Sequence, residues 1–115
     1  MMDSTVFVYG TLKRGFANNV LLCKSKYLGE HTTPKEFTMI NLGWYPGVLE
    51  SGNTAVHGEV WQMSDTTMEQ LDWLEGYPTL YVRKRIPTPF GEAWMYVYNG
   101  SLDGEEAVIT EGVWI

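Results

Sequence analysis

Residues Val6 to Gly15, Val-Phe-Val-Tyr-Gly-Thr-Leu-Lys-Arg-Gly, constrain this chain more than any other stretch, because an apolar strand runs directly into a loop with glycine at each end. Val6 and Val8 alternate with Phe7 and Tyr9, which predicts a half-buried strand. Gly10 then frees the backbone to turn, so that the N–H groups of Thr11 and Leu12 point at one ligand. Gly10 and Gly15 have the separation of a nucleotide phosphate loop, but Phe16-Ala17 stand where such a loop needs Lys followed by Ser or Thr. No side chain there neutralises a terminal phosphate or holds magnesium. A few N–H donors suit a smaller anion, and a carboxylate is the natural candidate.

Beyond the loop, Asn18-Asn19 predict the cap of a short helix through Val20, Leu21, Leu22 and Cys23, ending near Gly29. Strands are expected at Phe37 to Leu42, Val48 to Glu50 and Ala55 to Met63, the last from alternation of Val56, Gly58 and Val60 with His57, Glu59 and Trp61. Ser64-Asp65 read as an N-cap before a second helix over Thr66 to Leu74, stopped at Gly76-Tyr77-Pro78. Two more strands follow at Leu80 to Ile86, ended by Pro87-Thr88-Pro89, and at Ala93 to Tyr98, ended by Asn99-Gly100. Strands interrupted by two helices without regular alternation indicate an α+β domain rather than a doubly wound sheet. A small barrel is one way such strands protect their edges.

At 115 residues the chain is expected to form one domain, 1–115, and with 44% apolar residues it has enough for a core of its own. Its net charge of −6 disfavours nucleic acid or an anionic membrane as an electrostatic partner. Five of the eight basic residues fall in two clusters, Lys13-Arg14 beside the loop and Arg83-Lys84-Arg85 on a solvated strand face. Cys23 is the single cysteine, which excludes an intrachain disulfide and fits a cytoplasmic protein. No apolar run reaches the roughly 20 residues of a transmembrane helix, and Met1-Met2-Asp3-Ser4 does not begin a targeting segment.

The second helix carries a carboxylate on its apolar face. Met68 and Leu71 set the core direction, and Glu75, seven residues after the first and four after the second, falls between them. Asp72 lies at the edge of that face, while Glu69 points to solvent. Burial and the negative end of the helix dipole both push the Glu75 pKa upward. A carboxyl group so tuned can accept a proton and return it. The structural alternative is an inward glutamate paired with Arg83, Arg85 or a buried tyrosine.

Taken together, Tyr9-Gly10-Thr11-Leu12 and Leu71-Asp72-Trp73-Leu74-Glu75-Gly76-Tyr77-Pro78 resemble the γ-glutamylcyclotransferase-fold proteins, most of all the γ-glutamylamine cyclotransferase branch. Further likeness lies in the Glu59-Val60 strand, Tyr81-x-Arg83, the aromatic strand Trp94 to Tyr98 and the closing Gly112-Val113-Trp114. The resemblance implies a small mixed β-barrel flanked by short helices and a cofactor-free, metal-free reaction in which a γ-glutamyl amide cyclises to 5-oxoproline and a free amine. It implies that the loop Tyr9, Gly10, Thr11, Leu12 cradles the glutamyl α-carboxylate and that Glu75 is the acid/base. The substrate's own amine is the nucleophile, so no Ser, Cys or Lys need attack. Thr11, Tyr81 and Tyr98 are candidates for stabilising the oxyanion, and Tyr81 is also counted among the substrate-binding residues. Trp44, Tyr45, Tyr77 and Tyr81 are candidates for the wall facing the leaving amine, for example the lysine of ε-(γ-glutamyl)lysine.

Three other readings compete. Cys23 with His31 or His57 would make a thiol hydrolase, although a thiol in Leu21-Leu22-Cys23 is expected to be a small core residue. His57-x-Glu59 is too short of ligands for a metal site. A carboxylate-binding or regulatory module on the same fold remains, but a pure anion binder gains nothing from an inward carboxylate.

Overall fold

The computed structural model describes residues 3–115. In chain order the elements are β1 (Ser4–Val8), a single 3-10 turn (Asn19–Leu22), β2 (Lys26–Thr32), β3 (Phe37–Asn41), β4 (Pro46–Thr54), β5 (His57–Met63), α1 (Asp65–Glu75), β6 (Tyr81–Thr88), β7 (Gly91–Tyr98) and β8 (Ala107–Val108). The fold is α+β. Five strands form one sheet in the order β2-β5-β1-β7-β6, and β4-β3-β8 form a second. The first sheet is mixed, since β1 runs antiparallel to β5 and parallel to β7. The described strands make a barrel only loosely, as two sheets round a common core without one closed ladder.

Val6, Phe7, Val8 and Tyr9 are all buried, so β1 is covered on both faces rather than on one as its alternation predicts. Its central place is the reason. Phe7 and Tyr9 face the second sheet and pack with Phe37, Met39 and Val48, whereas Val6 and Val8 face α1 and pack with Met68 and Leu71. Sheet, sheet and helix thus make three layers with two apolar seams. Alternation in β1 sorts residues between two cores, not between core and water.

Several boundaries differ from expectation. The first helix is only a 3-10 turn, and Lys26–Thr32, expected to be helix and loop, is a strand on β5 with a bulge between Tyr27 and Gly29. Asn18 occupies the cap position without capping, because its side chain is drawn to Thr11. The expected strand Ala55 to Met63 breaks at its start. Thr54 pairs with Phe37 in one sheet and His57 with Thr32 in the other, so the chain crosses between sheets at Ala55-Val56. Pro87 does not end β6, which continues to Thr88 because an edge strand tolerates the missing donor. Val48 to Glu50 is the middle of a longer strand, and β8 is too short and polar-flanked to be seen in sequence.

The second helix forms as its punctuation predicts. Ser64 caps it, its hydroxyl accepting from the Thr67 N–H at 3.3 Å. Gly76, at φ 65°, ends it in the left-handed conformation. That termination brings Glu75 to the last turn, beside the end of β1.

Candidate active site

Three segments converge where β1 ends: the loop Gly10–Leu12, the C-terminal turn of α1, and the Tyr45-Pro46 corner leading into β4. They line a small cavity formed by Phe7, Val8, Tyr9, Gly10, Thr11, Leu12, Tyr45, Pro46, Glu75, Tyr81 and Tyr96. The predicted acid/base Glu75 and the predicted substrate-binding residues Tyr9, Gly10, Thr11, Leu12 and Tyr81 all line this one space, whereas Tyr98 lines neither this cavity nor the next. A second, larger and more open cavity, of about 360 Å³, shares Thr11, Tyr45, Glu75 and Tyr81 with it and adds Ala17, Asn18, Trp44, Leu74 and Leu80. Glu75 therefore stands on the wall of both.

The Glu75 carboxylate is held without a cation. Among the described residues no hydrogen bond or ion pair reaches it, because Arg83 is drawn to Asp72 at 3.6 Å and Arg85 to Glu92 at 3.6 Å. Burial alone pushes its pKa up to about 7. The alternative pairing of this glutamate with either arginine does not form among the described residues. Arg83 is also not on a solvated face, since it is half-buried over the rings of Tyr77 and Trp94.

Buried tyrosines surround the carboxylate, and each has spent its proton elsewhere. Tyr9 donates to the Tyr96 carbonyl at 2.8 Å, Tyr81 to the Pro46 carbonyl at 2.7 Å, and Tyr96 to Asp72 Oδ1 at 2.8 Å. Burial, reinforced by the negative charge of Glu75, raises all three hydroxyls well above the ordinary tyrosine range and keeps them neutral. Tyr98 donates to the Ser101 carbonyl at 3.2 Å. Of the three oxyanion candidates, Thr11 alone finds no acceptor for its proton among the described residues: its oxygen accepts from Asn18 Nδ2 at 2.8 Å. Asn18 is a residue that sequence reasoning used only as a cap.

The loop is shaped by packing more than by unusual dihedrals. Gly10 has no positive φ. A Cβ there would instead meet Cγ and Cδ of Pro46 at 2.9 Å, so its value lies in close approach to the β4 corner. Lys13 N–H donates back to the Gly10 carbonyl and Asn18 N–H to the Thr11 carbonyl. Among the described residues, the N–H groups of Thr11 and Leu12 find no protein acceptor outside the regular ladders. The neighbouring cations turn away. Lys13 Nζ donates to the Trp114 carbonyl at 2.9 Å, and Arg14 is bound to Glu59.

Glu59 is the main residue the sequence left unread. It is buried, and its carboxylate accepts from the Arg14 backbone N–H at 3.0 Å, from Arg14 Nε at 3.4 Å and from Trp61 Nε1 at 3.2 Å. Arg14 also stacks on Tyr27 at 3.9 Å. These contacts pin the far end of the loop to β5. The only sequence signal was an acidic residue flanked by the buried positions of a strong strand.

The rival sites are dispersed. Cys23 is exposed rather than in the core, His57 bonds Thr32 at 2.9 Å, and His31 packs edge-on against Phe7. Among the described residues no group of three His, Cys, Asp or Glu side chains converges, and no helix is long and apolar enough to cross a membrane. Tyr77 lines neither cavity, whereas Trp44, Tyr45 and Tyr81 line the outer one.

Comparison with known proteins gives a consistent result. A family model described as gamma-glutamyl cyclotransferase, AIG2-like, matches residues 6–115. A Vibrio cholerae protein provisionally named gamma-glutamylcyclotransferase is 47% identical over 98 residues, covering 85% of this chain and 84% of its own length. The Escherichia coli gamma-glutamylcyclotransferase family protein YtfP is 37% identical over 110 residues, covering 96% of this chain and 95% of its own length. Its solution structure superposes with a TM-score of 0.78 at 38% identity, covering 96% of each chain.

Proposed function

The chain belongs to the gamma-glutamyl cyclotransferase, AIG2-like family, and from that premise we propose that it cyclises a γ-glutamyl amide to 5-oxoproline and a free amine, in the manner of the γ-glutamylamine branch. The observation that carries this reading is Glu75, a cation-free carboxylate tuned to about 7 on the wall shared by two cavities, opposite a loop with unspent N–H groups.

In the reaction the substrate's α-amine loses a proton to Glu75 and its nitrogen attacks the γ-carbonyl carbon. The ring C–N bond forms, and the carbonyl oxygen carries the negative charge of the tetrahedral intermediate. As that intermediate collapses, the bond to the leaving nitrogen breaks and Glu75 returns the proton to it. Atoms and electrons balance without water, metal or a protein nucleophile. The inner cavity takes the glutamyl moiety, its α-carboxylate on the N–H groups of Thr11 and Leu12. The free proton of Thr11 serves the oxyanion.

Glu75 is suited to both transfers because its pKa lies near neutrality, and such positioned transfer typically contributes about 10²- to 10⁴-fold. Tyr9, Tyr81 and Tyr96 do not exchange protons. They fix the floor that holds the glutamyl chain folded, an orientation effect that reaches roughly 7 to 11 kcal/mol at best.

Incubation with ε-(γ-glutamyl)lysine, γ-glutamyl-alanine and glutathione, with 5-oxoproline as readout, tests the reading. At least one is expected to yield product well above a Glu75→Gln control. If none does, the carboxylate-binding module becomes the better reading.

A further inference from the structure

Behind the Glu75 carboxylate lies a second one. Asp72 stands one turn earlier on α1, so the two side chains leave neighbouring points of the helix with their Cβ atoms about 5 to 6 Å apart. The partners of Asp72 arrive as a pair fixed by register. Arg83 on β6 lies directly opposite Tyr96 on β7, which sends both side chains out on one face of the sheet. Tyr96 donates its hydroxyl proton to Asp72 Oδ1 at 2.8 Å, and Arg83 Nε lies 3.6 Å from the same oxygen. Stacking anchors the guanidinium, over the rings of Tyr77 at 4.2 Å and Trp94 at 4.8 Å, while its buried Nε has no hydrogen-bond partner among the described residues.

Tyr96 also lines the inner cavity together with Glu75, and the Glu75 charge acts on its hydroxyl after burial and Asp72. A phenol has one proton to give. While Asp72 holds that proton, the hydroxyl offers Glu75 only lone pairs, which disfavour an ionised carboxylate. Resting on the cyclotransferase reading above, we propose that Asp72 is a positioning residue for the reaction: it captures the Tyr96 proton and so keeps Glu75 a base without a donor. The other groups around Glu75 are disposed differently. Tyr9 on β1 and Tyr81 on β6 give their protons to backbone carbonyls, Tyr45 before β4 is exposed, and no lysine or arginine lines the inner cavity. Of the three bonded tyrosines, Tyr96 alone donates to a side chain, so it is the one that a substitution can release. A released proton turns to the neighbouring carboxylate, forms a charge-assisted hydrogen bond with it and weakens it as a base.

Asp72→Leu removes the acceptor at similar volume, whereas Asp72→Asn keeps an acceptor oxygen and loses only the charge. Asp72→Ala replaces the first wherever circular dichroism shows it unfolded. Glu75 is titrated by heteronuclear NMR of its carboxyl carbon, a readout that needs no turnover, and the acid limb of kcat/KM for 5-oxoproline release is followed alongside. The Glu75 pKa is expected to fall from about 7 to about 6 or lower in Asp72→Leu, to stay nearer the parent in Asp72→Asn, and to recover at least about half of the fall when Tyr96→Phe is added to Asp72→Leu. Arg83 lacks its carboxylate in both Leu variants, so their difference isolates the proton. No fall in Asp72→Leu would overturn the proposal, as would equal falls with Leu and Asn, which loss of charge alone produces. A fall that Tyr96→Phe leaves untouched would overturn it too. An NMR shift that the acid limb does not follow would overturn the role in the reaction. A parent that releases no 5-oxoproline, with the NMR pattern as expected, would take away the cyclotransferase reading and leave the capture of the proton by Asp72 standing.

Discussion

Two inward glutamates, Glu59 buried and Glu75 half-buried, behave as opposites. Glu59 on β5 is surrounded by donors: the Arg14 N–H, the Arg14 guanidinium and the Trp61 indole. Among the described residues Glu75 at the end of α1 has no such partner, and burial lifts its pKa to about 7. Burial is common to both, so burial alone does not make an acid/base. What separates them is whether the neighbourhood supplies compensating hydrogen bonds. Two neighbouring arginines are already paired, Arg14 with Glu59 and Arg83 with Asp72, and Glu75 lines the cavity. Glu59 holds the loop in place, while Glu75 is the group to which the proposed reaction assigns the proton transfers.

The sharpest way to break this contrast is Glu75→Gln. Activity is expected to fall by about 10²- to 10⁴-fold with the fold intact, measured as 5-oxoproline release alongside circular dichroism. Equal activity would remove Glu75 from the chemistry.

The same group predicts how stability varies with pH. Its folded pKa, about 7, lies above its ordinary value of 4.5. Protonation therefore favours the folded state: that contribution is complete below about pH 4.5 and lost as pH rises through 7. Glu75→Gln is expected to be more stable than the parent at pH 8 by about 2 to 3 kcal/mol, an advantage that shrinks toward pH 5, read from urea midpoints at the two pH values. A difference that does not depend on pH would contradict the desolvated carboxylate.

Glu59→Ala probes the other side of the comparison. It strands the Arg14 N–H and the Trp61 indole in a buried setting, so a loss of about 2 to 3 kcal/mol is expected. A raised KM is expected to accompany it as the loop loosens, and Glu59→Gln, which keeps one acceptor, should recover part of both. A variant as stable as the parent would show that the clamp is incidental.

The smallest effect belongs to Thr11. Thr11→Val is expected to lower kcat by about tenfold with little change in melting temperature, and Thr11→Ser to retain most activity. Asn18→Asp, whose carboxylate draws the Thr11 proton toward itself, should resemble Thr11→Val. Full activity in Thr11→Val would return the oxyanion role to the backbone N–H groups.

Much of this was legible one element at a time. Ser64, Met68, Leu71 and Gly76 marked the start, face and end of α1, and those local signals sufficed to turn Glu75 inward. The loop announced itself through Gly10 and Gly15. The residues that were missed act at long range. Glu59 matters because Arg14, 45 positions away, comes to it. Pro46 matters because it seats on Gly10 and accepts from Tyr81, 35 positions on. Lys26–Thr32 became a strand because β5 offered it a free edge, not because its own pattern demanded one.

The sequence by itself determined the α+β class, the helix that carries Glu75 and the loop that faces it, because caps, periodicity and turn glycines act within a few residues. Tertiary structure decided everything that depends on who is left without a partner. Only packing could send Arg83 to Asp72, tie Lys13 and Arg14 away from the cavity, and commit the protons of three tyrosines to carbonyl and carboxylate acceptors. A hydrogen bond or ion pair is settled by competition among all groups within a few ångströms, and that neighbourhood exists only once the chain has folded.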